Sequence, residues 1–313
     1  IYNYIELKKD LIKYGLIFKG NGDTEVLLKL LIKEGKNCLK KLNGMFSFVF
    51  FNKKIKSWLA VRDHFGIKPL YFTQINKDKM ILASEIKAIL VHPEFKSELN
   101  ISSLHDYLNF QLCLGEQTLF RGIKKIEPGE LLEGNLNNNS FTKEKWWQLN
   151  YEIDEERTED SFIDEINYLI YDSVKIQTRS DYPIGSYLSG GIDSSLITIL
   201  TSKILNKSFN SFHGCFENHP GFSEYKFAKE VALKNDIELL KINPTPHEFV
   251  KYLPKLIYAL DEPLAGPGVF PQYMVSGLAS NSVKVVLGGQ GGDELFGGYA
   301  RYLIAYLEQA LKG

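Results

Sequence analysis

The sequence predicts two domains of different class: an α+β domain with antiparallel sheets, then an α/β domain with a doubly wound parallel sheet. The first half holds short aromatic and β-branched runs between polar connectors, whereas the second half alternates strand-like and helix-like segments. Two glycine-rich turns also follow strand-like segments of the second half. A length of 313 residues suits two domains of ~150 residues each. We place them at residues 1–148 and 149–313.

The first domain is predicted to contain helices and a series of hairpin strands. The helix TEVLLKLLIKEG has apolar residues at helical spacing and ends at a capping glycine, Gly35. The strands are MFSFVFF, SWLAVRD, LYFTQI and MILAS, and the helix SEIKAILVH follows them and stops before Pro93. The stretch 127–150 is rich in proline, glycine and asparagine, which predicts a surface loop and linker.

The second domain is predicted to alternate strands and helices. Its first helix, SFIDEINYLIYDSVKIQT, places an apolar stripe on one face. The stripe consists of Phe162, Ile166, Leu169, Ile170 and Val174. The strands GSYLS, SFHGCF, IELLKIN and VKVVLGG then alternate with four helix-like segments, which predicts a parallel sheet. In such a sheet, ligands bind beyond the carboxyl ends of the strands.

Composition and charge exclude several classes of protein. With 37 basic and 38 acidic residues the net charge is -1, so we expect neither a nucleic-acid partner nor a membrane partner. No apolar run approaches the ~18 residues of a membrane span. Cys38, Cys113 and Cys215 have neither disulfide-framework nor metal-site spacing, which is typical of a reducing compartment. The expected location is cytoplasmic.

The segment SGGIDSS, at the end of a predicted strand, has two interpretations. In the first it is only a tight turn, with Asp193 or Ser194 as the cap of the following helix. In the second it holds a phosphate group at the helix N-terminus, and Asp193 binds Mg²⁺. The phosphate donors would be the backbone or hydroxyl groups of Ser189, Gly190, Gly191, Ser194 and Ser195. A Walker P-loop is excluded because GxxxxGK[ST] does not occur.

A second glycine-rich segment, GGQGGDELFGGY, favours the phosphate interpretation. Six glycines fall within residues 288–298, directly after a strand rich in β-branched residues. A flexible linker is the alternative, but a linker rarely carries apolar residues such as Leu295 and Phe296. Two such turns at the end of one sheet predict a composite nucleotide site, in which Asp293 completes metal ligation opposite Asp193.

These motifs together resemble a known family. SGGIDSS matches the SGGxDS pyrophosphate loop of ATP pyrophosphatases, and with LDEP and GGQGGDELFGGY it resembles glutamine-hydrolysing asparagine synthetases. In the first half, GNGDTEVLL, LNGMFSFVFF, RDHFGIKPLYF and ASEIKAIL resemble that family's class II glutamine amidotransferase domain. The resemblance implies an incomplete N-terminal-nucleophile, glutaminase-like domain, followed by an ATP-pyrophosphatase domain that is incomplete at its C-terminus.

The resemblance implies a carbon–nitrogen ligase of asparagine biosynthesis and implies roles for the residues that match the family's motifs. Such an enzyme adenylates the β-carboxylate of L-aspartate with ATP and Mg²⁺, releases pyrophosphate, and amidates with ammonia from L-glutamine. Asp23 then matches the residue that holds the α-amino group of glutamine, and Asp193 and Asp293 match the Mg²⁺ ligands. The implied ATP-site positions are Leu188, Ser189, Gly190, Gly191, Asp193, Ser194, Ser195, Gly214, Gly288 and Gly289. A homodimer is also implied.

The two ends of the chain depart from the family. The chain begins at IYN, without the family's N-terminal cysteine nucleophile, its arginine and its Asn-Gly-Glu triplet. Neither Cys38 nor Cys113 lies in a matching motif. The C-terminal end lacks later basic residues of the family, and Arg301 and Lys226 are the nearest remaining cations. We therefore expect a fragment, truncated at both ends, that does not hydrolyse glutamine.

Gln290 is a third departure, and it leaves the product open. The family's asparagine-forming members commonly carry a carboxylate at this position, whereas an amide has no useful basicity. Either ammonia needs no side-chain base, or Glu294 serves as that base, or the acceptor is not aspartate. The alternatives are a related amidotransferase for a sugar acid or modified amino acid, or a nucleotide-binding module without turnover. A tRNA-modifying relative with the same loop ranks last, because it has no reason to carry the first domain.

Overall fold

The chain folds into two compact units. The computed structural model describes residues 1–137, 140–206, 208–216, 223–263, 266 and 268–312. The first unit comprises Ile1–Glu155 with Ile257–Gly266, and the second comprises Glu156–Leu256 with Pro267–Gly313. The domain boundary placed at residue 148 stays a prediction, since these units are defined by packing alone.

Two helices and a 3-10 helix open the first unit. They are α1 (Tyr4–Lys13), α2 (Asp23–Glu34) and the 3-10 helix Gly35–Lys41. The predicted helix up to Gly35 is confirmed, because Gly35 adopts φ 59° at the C-cap, where a side chain would be strained. Leu30 of α2 and Leu11 of α1 are 2% exposed and share a core with Phe46.

Seven strands of the first unit form two antiparallel sheets in the described part of the chain. They are β1 (Ser47–Asn52), β2 (Ser57–Arg62), β3 (Tyr71–Asn76), β4 (Lys79–Ala83), β5 (Lys124–Lys125), β6 (Glu130–Asn135) and β7 (Ser140–Lys145). The strand orders are β1-β2-β6-β7 and β4-β3-β5, with antiparallel pairing throughout. The four predicted hairpin strands are therefore confirmed, although they are divided between two sheets.

The prediction of a surface loop and linker at 127–150 is wrong for much of its length. β6 lies inside its sheet, between β2 and β7, and Leu131 and Leu132 are fully buried. The composition misled the interpretation because a short apolar run, GELLEG, was outweighed by its polar neighbours. Residues 138 and 139 of the asparagine run lie outside the described residues.

A buried aspartate organises the loop that follows β2. The Asp63 carboxylate, 1% exposed as a residue, accepts the N–H groups of Ile67 and Lys68, both at 2.9 Å. It also accepts the N–H groups of Phe46 and Phe65 at 3.2 Å. The helices α3 (Ile86–Leu90) and α4 (Ile101–Phe110) complete this unit, and α3 is shorter than the predicted SEIKAILVH.

The second unit is built on a parallel sheet. Its strands are β8 (Ile184–Tyr187), β9 (Asn210–Gly214), β10 (Glu238–Ile242) and β11 (Val285–Leu287), in the order β10-β9-β8-β11. All three pairings are parallel, so the predicted parallel sheet is confirmed. The chain moves from β8 outward to β10 and returns to the other side of β8 with β11. The order therefore reverses at β8, where open α/β sheets place their ligand crevice.

Three helices, α6 (Ile192–Leu205), α7 (Tyr225–Lys234) and α9 (Val269–Ala279), pack on the strands of this sheet. The other helices of this half of the chain are α5 (Glu159–Gln177), which packs on α6, α8 (Pro246–Leu260), α10 (Gly292–Phe296) and α11 (Ala300–Lys312). Thr198 of α6 donates to Ser186 Oγ at 3.0 Å, and Ser186 Oγ lies 2.7 Å from Ser211 Oγ. This buried hydroxyl chain fixes α6 against β8 and β9, because a buried hydroxyl without a partner would be unfavourable.

The apolar stripe predicted on α5 is covered at one end only. Val174 is buried and packs with Ile184 and Leu287, whereas Phe162 is 38% and Leu169 is 53% exposed. The helical period was read correctly, but periodicity does not say how much of a stripe is covered. Among the described residues, no helix has the length and apolar character needed to cross a membrane.

Candidate functional site

The first glycine-rich loop joins β8 to α6. Gly190 adopts φ 100°, and a methyl group built on it would lie 2.8 Å from the carbonyl oxygen of Glu224. Only glycine fits there without strain. The helix begins at Ile192, and Gly191 is its N-cap with no side-chain cap. The interpretation in which Asp193 or Ser194 caps the helix is therefore wrong, because both lie inside the first turn.

Serine hydroxyls hold this loop in shape. Ser194 Oγ donates to Gly191 O at 3.1 Å, and Ser189 Oγ lies 2.8 Å from Ser194 Oγ. The N–H groups of Ser189 and Gly191 bond to these same hydroxyls, at 3.2 and 3.3 Å. The buried Ser194 hydroxyl is thus committed within the loop. The N–H groups of the first helical turn, which α6 itself does not use, are left to face an anion.

The second glycine-rich loop follows β11 and lies directly against the first. A methyl group on Gly289 would stand 2.7 Å from Ser194 N and 2.8 Å from the Asp193 carbonyl carbon. One on Gly292 would stand 2.5 Å from Asp193 Cγ. Glycine at position 289 therefore lets the two loops pack backbone to backbone, and glycine at position 292 leaves room for the Asp193 carboxylate. The structure therefore brings Asp193 and Ser194 together with Gly289 and Gly292.

Asp193 and Asp293 are the predicted Mg²⁺ ligands. Gly292, which directly precedes Asp293, packs on the Asp193 carboxylate, whereas the Asp293 carboxylate lies against Gly298. Neither takes part in an ion pair within the described part of the chain. The described residues contain no group of three or more His, Cys, Asp and Glu residues placed to hold a metal. Two hard oxygen donors nevertheless fit Mg²⁺, which usually keeps waters and phosphate oxygens as its other ligands.

A cavity of about 240 Å³ opens at the carboxyl ends of β8 and β9. Leu188, Ser189 and Gly214 line it, so three of the predicted ATP-site positions are brought together. Its remaining walls are largely apolar, with Tyr187, Phe212, Phe216, Pro271 and Val275 among them. A methyl group on Gly214 would lie 3.0 Å from Val275 Cγ2, so this wall leaves little room for a side chain.

His213 also lines this cavity, and the sequence analysis missed it. Its Nδ1 lies 2.8 Å from Leu188 O, and its ring is tilted against that of Tyr225 at 5.5 Å between centroids. The residue is 3% exposed, and this burial lowers the pKa of the imidazole. Its place next to Gly214, at the end of the strand SFHGCF, was the signal that could have identified it.

Gln290 and Glu294 are both exposed in the second glycine-rich segment. The Gln290 side chain folds back onto Gly288. A methyl group built on Gly288 would overlap the side-chain amide oxygen of Gln290. The Glu294 carboxylate accepts a hydrogen bond from Tyr299 at 2.8 Å, and this bond lowers the pKa of Glu294. A lowered pKa makes Glu294 a weaker base, which disfavours it as a substitute for the family carboxylate.

In the first unit, Asp23 lies in the first turn of α2. Gly22 is the N-cap of this helix. The Asp23 side chain is part-exposed and lies beside the first residue of the chain. Cys38 and Cys113 are buried, and burial raises the pKa of each thiol to about 11. Neither is therefore a ready nucleophile.

Comparison with known proteins assigns both units to families. Residues 1–147 match the glutamine amidotransferase domain family, and residues 165–312 match the asparagine synthase family. The chain is thus a glutamine amidotransferase domain joined to an asparagine synthase domain. The resemblance to glutamine-hydrolysing asparagine synthetases is confirmed, and the chain belongs with these two-domain proteins.

Similar curated proteins carry the same description. Asparagine synthetase [glutamine-hydrolyzing] 1 of Bacillus subtilis is 40% identical over 306 residues, which is 96% of this chain and 47% of the relative. Putative asparagine synthetase [glutamine-hydrolyzing] 2 of Methanocaldococcus jannaschii is 34% identical over 312 residues, 98% of this chain and 59% of the relative. The chain therefore spans about half the length of these curated relatives.

Proposed function

We propose that the protein is an ATP-dependent, glutamine-hydrolysing asparagine synthetase. The observation that carries this proposal is the packing of Gly289 and Gly292 against Asp193, at the point where the order of the parallel sheet reverses. Two glycine-rich loops in this arrangement offer backbone N–H groups to the phosphates of one nucleotide. The names of the curated relatives support the same reaction.

The nucleotide lies with its base in the apolar cavity and its phosphates over the SGGIDSS loop. Leu188 and Gly214 border the base, and Ser189 lies where the cavity meets the loop. The first-turn N–H groups of α6 and the positive end of that helix face the phosphates. Gly190, Gly191, Ser195, Gly288 and Gly289 complete this surface.

Asp193 and Asp293 would hold Mg²⁺ beside the phosphates. When bound, the ion neutralises charge that develops on the pyrophosphate leaving group. The two carboxylates orient this end of the nucleotide, and the tight loop contacts around Asp193 keep its carboxylate in place.

In the reaction, an oxygen of the L-aspartate β-carboxylate attacks the α-phosphorus of ATP, and the bond to pyrophosphate breaks. Ammonia then attacks the acyl carbon, and AMP leaves with the oxygen that aspartate contributed. Exclusion of water protects the acyl-adenylate from hydrolysis. Gln290 can orient a substrate by hydrogen bonding, but its amide does not accept a proton from ammonia.

The first unit supplies ammonia from L-glutamine in the full-length gene product. We assign it to the N-terminal-nucleophile class of glutaminase folds, with Asp23 as the carboxylate that holds the substrate α-amino group. A cytoplasmic homodimer is part of the same proposal.

The second candidate is an amidotransferase whose acceptor is another carboxylate, such as a sugar acid or a modified amino acid. Gln290 favours this candidate, because its position is where asparagine-forming relatives commonly place a carboxylate. A nucleotide-binding module without turnover is the outcome if no acceptor stimulates the protein.

AMP formation by the full-length gene product tests the proposal. The assay contains ATP, Mg²⁺ and ammonium chloride, with L-aspartate compared against a panel of other carboxylates. The proposal expects AMP and asparagine with aspartate alone, and loss of AMP formation in Asp193→Ala. Turnover with a different carboxylate would establish the second candidate, and unchanged turnover in Asp193→Ala would contradict the assigned site.

A further inference from the structure

The segment Ile257–Gly266 belongs to the first unit, although the chain on either side of it belongs to the second. α8 ends inside this segment, at Leu260, and α9 begins just after it, at Val269. Residues 257–263 and 266 are the part of the segment that the structure describes. The ends of the segment are therefore joined to two helices that otherwise belong to the second unit.

Asp261 is held in this segment by three donors of α3. Its Oδ2 accepts the Ile86 N–H at 2.7 Å, and its Oδ1 accepts the Lys87 N–H at 3.3 Å and pairs with Lys87 Nζ at 2.7 Å. The Asp261 side chain is 6% exposed, and its backbone adopts φ 67°, a left-handed conformation that is uncommon for a residue with a side chain. A buried charge on such a backbone persists because the contacts around it hold it there.

Two further contacts hold the segment on either side of Asp261. Glu262 accepts the Leu119 N–H at 2.5 Å, and Lys87 Nζ lies 5.3 Å from the ring centroid of Tyr258. Lys87 thus contacts both the last turn of α8 and the residue that directly follows this helix. We call the pair of Lys87 and Asp261 the latch.

The start of α9 is weakly fixed by its own sequence. Its N-cap is Gly268, which has no side-chain cap, and its first turn has no acidic residue. The contacts of α9 with α8 are aromatic: the ring centroids of Phe249 and Phe270 lie 5.3 Å apart, and those of Tyr252 and Tyr273 lie 5.9 Å apart. The position of α9 therefore depends on α8 and on the segment that joins the two helices, as well as on β9 and β10.

α9 also forms one wall of the cavity at the carboxyl ends of β8 and β9. Pro271, Gln272 and Val275 line this cavity, and Pro271 and Gln272 lie in the first turn of the helix. Closely packed interiors transmit small shifts instead of absorbing them. Movement of the start of α9 would therefore change the shape of the cavity.

We propose that Lys87 and Asp261 are positioning residues for the nucleotide. The latch holds the segment that joins α8 to α9, and the segment in turn holds the α9 wall of the cavity. This inference rests on the proposed ATP site and deepens it, because it makes the affinity for ATP depend on a pair of residues in the first unit. Neither residue touches the nucleotide, and neither takes part in the transfer steps.

The experiment measures the affinity of this chain for magnesium–ATP by calorimetry. Asp261→Asn keeps the shape of the side chain but loses the charge, and Lys87→Met removes the cation. Each should weaken binding by about fivefold or more, the range of coupling between distinct sites. The double variant should lose no more than the single variants, since either substitution alone opens the latch.

Asp10→Asn and Lys13→Met are the matched controls, because they make the same two substitutions in an exposed pair of α1 whose charged groups lie 3.0 Å apart. They should leave the affinity for magnesium–ATP unchanged. Affinity is compared under conditions where denaturant unfolding shows every variant to be folded. A merely structural role of the latch would then lower the free energy of unfolding without changing the affinity.

Unchanged affinity in Asp261→Asn and Lys87→Met would overturn the inference while leaving the ATP site intact. Losses that multiply in the double variant would also overturn it, because the two residues would then act separately. Failure of magnesium–ATP to bind the unsubstituted chain would instead overturn the proposed ATP site, and the inference with it.

Hydrogen exchange in the unsubstituted chain gives a second test that needs no variant. Coupling between two sites is reciprocal, so magnesium–ATP should slow exchange of the Ile86 and Lys87 N–H groups, which donate to Asp261. The N–H groups of Ile67 and Lys68 are the internal control, because they donate to a different buried carboxylate of the first unit, that of Asp63. Equal responses of the two pairs to magnesium–ATP would contradict the latch.

Discussion

Gly292 lies so close to the Asp193 carboxylate that a methyl group on residue 292 would stand 2.5 Å from Asp193 Cγ. These residues belong to different loops, one after β11 and the other at the start of α6. Their contact makes one site from two glycine-rich segments that are about a hundred residues apart in sequence. The position of Asp193 therefore depends on the absence of side chains in the second loop.

Gly289→Ala should weaken binding of magnesium–ATP by more than about tenfold. The added methyl group would stand 2.7 Å from Ser194 N and 2.8 Å from the Asp193 carbonyl carbon, and backbone atoms cannot move aside cheaply. Gly277→Ala is the matched control, because nothing lies within 4 Å of its added methyl group in α9. That control should retain binding and gain about 0.5–1 kcal/mol in free energy of unfolding. Equal affinities in the two variants would contradict the packed-loop account.

Asp193→Asn and Asp293→Asn should each remove most of the dependence of ATP binding on Mg²⁺. An amide keeps the size of the side chain but loses the charge that a hard cation prefers. The measurement is ATP affinity with and without Mg²⁺ for each variant. Asp164→Asn, exposed on α5, is the control and should retain the full Mg²⁺ dependence. A normal Mg²⁺ effect in both site variants would remove them as ligands.

Asp63→Ala should lower the free energy of unfolding by more than about 2 kcal/mol, because four N–H groups lose their acceptor. Asp63→Asn should lose less, since its remaining carboxamide oxygen still accepts. Denaturant unfolding measures both changes. Asp10→Asn breaks only an exposed ion pair with Lys13, and its effect should stay within about 0.5 kcal/mol. A similar small effect for Asp63→Ala would show that the loop after β2 does not need this carboxylate.

Glu262→Gln should become more stable relative to the unsubstituted chain as the pH rises. Burial raises the pKa of Glu262 above the ordinary value of 4.5, which means that the folded state favours the protonated acid. The contribution of Glu262 to the free energy of unfolding is fully present below pH 4.5, and it is lost as the pH rises through the pKa that Glu262 has in the folded state. Glutamine stays neutral, and its oxygen can still accept the Leu119 N–H that Glu262 accepts at 2.5 Å.

The neighbouring variant Asp261→Asn should be less stable than the unsubstituted chain at neutral pH, whereas Glu262→Gln should be more stable. Asp261 accepts the Ile86 N–H at 2.7 Å and pairs with Lys87 Nζ at 2.7 Å, so its charge is used. Unfolding measured between pH 4 and pH 8 separates the two variants. A constant difference between Glu262→Gln and the unsubstituted chain over that range would contradict a raised pKa for Glu262.

The sequence predicted most elements whose signal is local. The helix up to Gly35, the aromatic hairpin strands and the alternating second unit all follow from period and turn residues, and the structure has them. β6 was missed because its burial comes from pairing with β2 and β7, and short-range composition carries no record of that pairing. The sequence also did not indicate that the apolar stripe of α5 is buried at one end only, because that burial depends on the elements packed against the helix.

The candidate site was predictable as motifs but not as contacts. The sequence identified both glycine-rich loops, whereas the approach of Gly292 to Asp193 depends on the sheet order. The N-cap of α6 is Gly191 and not Asp193 or Ser194, because the helix begins at Ile192. His213 gave only a weak signal, because its burial against Leu188 and Tyr225 is seen only in the folded chain.

The most direct test of the central claim follows an oxygen atom. The full-length gene product is given L-aspartate labelled with a heavy oxygen isotope in its β-carboxylate, together with ATP, Mg²⁺ and ammonium chloride, and the AMP is examined by mass spectrometry. Adenylation of aspartate predicts that each AMP formed carries one labelled oxygen, since the bond broken by ammonia leaves that oxygen on phosphorus. AMP without label, formed alongside asparagine, would contradict the proposed adenylation.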